Sequence, residues 1–234
     1  MSEPAPNAEL LRSLGRLVRG LSALFWGLPI TLIVCFHTAK ADSLKSFGIV
    51  PALVTTGLLA FGLWQLGDFQ RQERVWRAAL DRARVLGLIN FGLSPFLYWW
   101  NKVPASTFFL VMVLLMGLSA LAFLGSVNLV LRRLGAMLPD EALRQETRQF
   151  TVVNLVLLVM TFLLAVLNVA IQIQPLPLWL WRPLPVWLGP VVEAVERGSL
   201  WFLMLLVLLP LAMTMALIWK TKEVILENVF GASR

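Results

Sequence analysis

"RARVLGLINFGLSPFLYWWNKVP", residues 82 to 104, decides how many times this chain meets a bilayer, and so the side on which every later loop lies. Its apolar core, Val85 to Trp100, spans sixteen residues. As an α-helix that stretch rises about 24 Å, against a hydrocarbon layer of about 30 Å. The flanks argue for a crossing. Arg82 and Arg84 close one end as cations able to snorkel, and Tyr98, Trp99 and Trp100 close the other as an aromatic belt. Asn101 to Pro104 then reads as a tight turn, because Pro104 fixes its own φ and turns Val103 away from helix.

Lipid is the solvent that the whole composition suits. Of 234 residues, 59% are hydrophobic and 14% charged, with a mean hydropathy of +0.79, whereas soluble domains carry about 25% charged residues. Five further segments are long and apolar enough to cross: residues 17–36, 49–67, 105–131, 150–171 and 199–219. With 85–100 they make an all-α protein of six crossings in three helical hairpins, a single transmembrane domain over 1–234. The first crossing reads as an uncleaved anchor, because the basic region before it is long for a signal peptide, despite the small-residue triplet Ala39 to Ala41.

The net charge of +7 fits the positive-inside rule, with no call for nucleic acid as a partner. With six crossings and both termini cytoplasmic, Lys40, Lys45, Lys102, Arg182 and Arg197 lie outside and the other fifteen of the twenty Lys and Arg lie inside. A five-crossing chain moves Arg132, Arg133, Arg144 and Arg148 outward and weakens that asymmetry. The expected location is a bacterial inner membrane.

Three connecting segments carry structure of their own. Residues 68–84, "DFQRQERVWRAALDRAR", form an amphipathic basic helix with Phe69, Trp76, Leu80 and Ala83 on one face. Glu73 with Arg77 and Arg77 with Asp81 are its expected i,i+4 pairs. Arg71, Arg74, Arg77, Arg82 and Arg84 are candidate contacts for anionic lipid head groups, or simply the normal cationic flank of a crossing. Residues 138–149 begin a helix that runs on into the fifth crossing. Residues 172–198 are an outer loop rich in Trp and Pro, with a short helix over 191–197.

Within the crossings, Asn154, Thr161 and Asn168 recur every seventh residue and so share one seam of the fifth helix. Such a seam either holds helices together by hydrogen bonds or lines a conduit for a small neutral or apolar solute. Partners for it are available in Asn90, Ser94, Thr107, Ser119, Ser126 and Asn128. Pro29, Pro95 and Pro210 are candidate kinks, each releasing the carbonyl four residues before it, at Phe25, Phe91 and Leu206. Residues 19–28 also resemble residues 84–93, with Arg19, Leu21, Gly27 and Leu28 opposite Arg84, Leu86, Gly92 and Leu93.

The chemistry of catalysis has little to work with. Cys35 is the one cysteine, so an intramolecular disulfide is excluded, and His37 is the one histidine. His37, near Asp42, is the sole candidate base, without a recognisable nucleophile or second acid beside it. No metal or cofactor is expected. The function expected is that of a non-catalytic subunit or accessory of a larger membrane assembly. Its partners are lipids with anionic head groups and other membrane-protein subunits or a second copy of itself. The apolar tail residues Val224, Ile225, Leu226, Val229 and Phe230 are one of its handles.

Overall fold

The computed structural model describes residues 8–40, 46–69, 73–137, 141–173 and 189–230, with side-chain surroundings for 12–40, 46–69, 73–137, 141, 144–164, 166 and 205–227. Among these residues the regular structure is all helix, with short turns between. In order come α1 (Ala8–Lys40), α2 (Val50–Leu66), α3 (Arg74–Leu93), α4 (Pro95–Lys102), α5 (Thr107–Met137), α6 (Glu141–Ile173) and α7 (Gly189–Phe230).

Four helices are long and apolar enough to cross a membrane: α1 over Arg12–Lys40, α5 over Thr107–Met137, α6 over Arg144–Leu164 and α7 over Leu205–Glu227. The other two expected crossings fall short for physical reasons. The 17 residues of α2 rise about 25 Å. The stretch at 85–100 is not one helix, because Pro95 starts α4 and Ser94 joins it to α3. The helix expected over 68–84 begins at Arg74 and runs unbroken to Leu93, so the amphipathic segment and the first half of the crossing are one element. Likewise α6 carries the expected helix at 141–149 straight into the apolar stretch. The short helix expected at 191–197 is the start of the 42-residue α7, while residues 174–188 of the outer loop lie outside those described.

Helices consecutive in the chain run antiparallel, apart from α3 and α4, which follow one direction through Ser94, and the charged ends gather on one side of the bundle. Arg16 of α1 pairs with Asp68, just past the end of α2. Arg84 of α3 reaches the same end of α2, donating to the carbonyls of Leu63 at 3.4 Å and Trp64 at 3.3 Å. Those carbonyls belong to the last turn of α2, where the regular helical amide donors run out and the Trp64 carbonyl also accepts from the Gly67 amide at 3.1 Å. Lys220 of α7 pairs with Glu146 of α6, and Trp219 rests 5.6 Å from the Phe25 ring. At the opposite end Asn101 donates to the carbonyl of Thr38 at 3.0 Å, and Lys40 sits 5.8 Å over Trp100. The backbone turns into α2 through Gly48, whose φ of 62° suits a residue without Cβ.

The packed core favours the charged end. Leu17, Leu21, Leu63, Leu66, Trp76, Leu80, Leu131, Leu134, Ile218 and Ile225 are among its fully buried side chains. Ile225 is therefore a core residue and not a free handle of the tail. A smaller cluster of Ala52, Leu97 and Met116 closes the far end. Helices α1 and α2 approach closely through glycine: a Cβ added at Gly20 would lie 2.7 Å from the Gly62 carbonyl, and one at Gly62 would lie 3.3 Å from Ala23 Cβ.

Candidate functional site

Asn154 and Thr161 of α6 face α5 and α7. Asn154 is fully buried. Its amide Nδ2 donates to Asn128 Oδ1 of α5 at 2.9 Å and to Thr214 Oγ1 of α7 at 2.9 Å, with the Pro210 carbonyl at 3.2 Å. Asn128, also fully buried, donates from Nδ2 to Thr214 Oγ1 at 2.9 Å and to the Leu124 carbonyl at 2.8 Å. Thr214 completes the triangle by donating to the Pro210 carbonyl at 2.7 Å. One atom is left over: Asn154 Oδ1 is buried without a partner.

Two turns along, Thr161 lies 2% exposed and directs its hydroxyl to the carbonyls of Leu157 at 2.8 Å and Leu206 at 3.0 Å. Leu206 is four residues before Pro210, so its carbonyl has lost its helical amide donor. Thr161 supplies a proton in its place. A similar solution serves the α3–α4 junction, where Pro95 has no N–H to give and Ser94 donates to the Phe91 carbonyl from Oγ at 2.9 Å and from its amide at 3.4 Å. Pro29 and Pro210 stay inside continuous helices, whereas Pro95 breaks one.

Of the expected seam, Asn154 and Thr161 are thus brought together, and the side chain of Asn168 lies outside those described. Among the suggested partners Asn128 joins, while Ser94 sits on Thr56 at 3.5 Å and Ser126 turns back on Phe123. Thr214 was not foreseen; its signal was the spacing of four from Pro210, which aims a hydroxyl back at the kink.

The basic residues separate into two groups. Arg74, Arg77 and Arg82 are exposed, whereas Arg84 is engaged by Trp64, whose ring lies 5.4 Å away, as well as by the end of α2. Asp81 pairs with Arg84 at 3.2 Å and not with Arg77. Glu73 Oε2 is buried without a partner, so its expected bond to Arg77 is not made by that atom. Arg71 lies outside the described residues. His37 is exposed at the end of α1, edge-on to Phe36 at 6.1 Å, and its expected neighbour Asp42 is outside the described residues.

Two cavities lie among the helices, and the larger one meets the seam at Thr161. One of about 160 Å³ is held between α1, α2, α3, α5 and α7, and another of about 400 Å³ adjoins it between α1, α5, α6 and α7. Compared with known proteins, the chain matches no family model, no curated sequence and no solved structure.

Proposed function

We propose that this chain is a non-catalytic subunit or accessory of a larger assembly in an inner membrane, crossing the bilayer six times as three hairpins with both termini cytoplasmic. The observation that carries the non-conducting part of this reading is the closure of the seam. Asn128, Asn154, Thr161 and Thr214 are at most 2% exposed, and their protons go to one another and to backbone carbonyls. Polar groups consumed in this way fix helix register. They do not wet a path for a solute, which needs polar atoms facing water.

The six-crossing arrangement is supported by the gathering of Arg16, Arg84 and Lys220 at one end of antiparallel helices. The exposed Arg74, Arg77 and Arg82 at that end suit anionic head groups. Outward on α6 stand Val152, Val153, Val156, Val159 and Leu163, a band that serves lipid or a partner helix equally well.

Native mass measurement of the protein extracted from its own membrane in mild detergent tests the assembly. Companion subunits or a defined oligomer are expected, and a lone monomer would count against the proposal. The conduit reading has its own test: cysteines placed at 154, 161 and 168 would label from the aqueous side in a conducting protein and are expected to resist.

A further inference from the structure

The cavity of about 160 Å³ lies where the two buried clusters meet, touching Leu28, Leu59, Phe123 and Leu124 of the larger and Met116 of the smaller. Leu28, Leu59 and Phe123 give it apolar walls, and Thr31, Cys35, Thr56 and Asn90 bring the polar atoms. Two of those polar groups are committed. The Thr31 hydroxyl donates to the Thr55 carbonyl at 3.1 Å and the Thr56 hydroxyl to the Ala52 carbonyl at 2.7 Å.

Asn90 is different. It is 7% exposed, and its Oδ1 has no hydrogen-bond partner. A buried carboxamide oxygen left unpaired costs roughly 1 to 3 kcal/mol; Oδ1 is itself closed off from the cavity, so a ligand on Asn90 recovers that penalty by drawing the carboxamide round to face it. The cavity also has a way out: Leu32, Ala120, Leu121 and Val207 line both it and the adjoining space of about 400 Å³. Ala120, at that shared boundary, is exposed.

We propose that this cavity binds a neutral, hydroxyl-bearing apolar molecule taken from the bilayer, its hydroxyl on Asn90 and its hydrocarbon running past Ala120. A hydroxyl both donates and accepts, so it satisfies the carboxamide whichever end faces it. Among the described residues no Asp, Glu, Lys or Arg lines either cavity, which favours an uncharged head over an ionic one. An apolar protein cavity of about 150 Å³ stays dry and takes up benzene, so the inner space suits a ring or the head of a chain. Water is a poor occupant, since it needs about two to four polar partners. The inference goes beyond the assembly role and stands whether or not the chain has protein partners.

Cys35, the only cysteine, lies in the wall and reports occupancy. In full-length protein held in lipid nanodiscs, the rate at which N-ethylmaleimide modifies Cys35 is followed while dodecanol or dodecane is added. Dodecanol is expected to slow the reaction at concentrations roughly two- to tenfold lower than dodecane, the worth of one hydrogen bond. Asn90→Leu, close in size and apolar, is expected to erase that preference while both probes still protect. Ala120→Trp is expected to abolish protection by either. Native mass spectrometry of retained dodecanol against dodecane reads the same contrast independently of the thiol and of any slow labelling. Equal behaviour of the two probes in the wild-type protein would overturn the proposal, as would a preference that survives Asn90→Leu.

Discussion

Thr161 shows how a single hydroxyl sets the value of a neighbouring proline. Its proton is shared by its own helix, at Leu157, and by the Leu206 carbonyl that Pro210 leaves without a donor. Interhelical hydrogen bonds within membranes average about 0.6 kcal/mol and reach about 1.7, and this one serves a carbonyl whose i+4 amide Pro210 removes. Thr161→Val is therefore expected to cost about 1 kcal/mol. In a Pro210→Ala background the new amide serves Leu206 itself, so the same substitution should there cost close to nothing. Reversible unfolding in mixed micelles, run as a double-mutant cycle, measures the difference; additive costs would mean that Thr161 does not act on the kink. Here the sequence was partly legible. The seven-residue spacing named Asn154 and Thr161, and proline chemistry named Leu206, but nothing in the sequence says that the two features face each other across α6 and α7. That juxtaposition is tertiary, and only the packed bundle supplies it.

Helices α1 and α2 hold together by absence of side chains, which hydropathy cannot register. Gly20 and Gly62 face each other so closely that a Cβ at Gly20 would stand 2.7 Å from the Gly62 carbonyl. Gly20→Ala is expected to destabilise by about 1 to 3 kcal/mol, the usual cost of overpacking. Gly92 offers the opposite case, with nothing within 4 Å of its added Cβ. Gly92→Ala should be neutral or gain up to about 1 kcal/mol of helix propensity. Thermal melts of the two variants in one detergent decide it, and equal shifts would remove the close-packing account. The pair also bears on the internal likeness of residues 19–28 and 84–93. Gly27 is pressed on Leu59 while its counterpart Gly92 is open, so the matched letters do not occupy matched surroundings. Helix existence was legible throughout, because long apolar runs leave few alternatives. Boundaries were less so: the break at Ser94–Pro95 and the unbroken run of α3 from Arg74 to Leu93 depend on which carbonyls find side-chain donors, a question that periodicity does not pose.

Charge organises the whole molecule along one axis. Lys102 belongs to the end where Asn101 binds the Thr38 carbonyl. Arg133 lies near the far end of α5, whose 31 residues rise roughly 46 Å and so exceed a hydrocarbon layer of about 30 Å. If the chain crosses six times, these two cations stand on opposite faces of the membrane, Lys102 outside and Arg133 in the cytoplasm. Arg132, Arg133, Arg144 and Arg148 then join Arg16 and Lys220 on the face that the positive-inside rule assigns to them. The short α2 and the broken α3–α4 pair are the weak members by length, yet they are covered by neighbours: α2 packs on α1 and α3, and α4 packs on α1 and α5. Burial against protein is what lets a short or interrupted helix sit at membrane depth. In a Cys35→Ser background, single cysteines at 102 and 133 are expected to react with a membrane-impermeant maleimide from opposite sides of sealed, oriented vesicles. Reaction of both from the same side would leave α3–α4 in the interface, reduce the crossings to an odd number and place the C-terminal half of the chain on the other face.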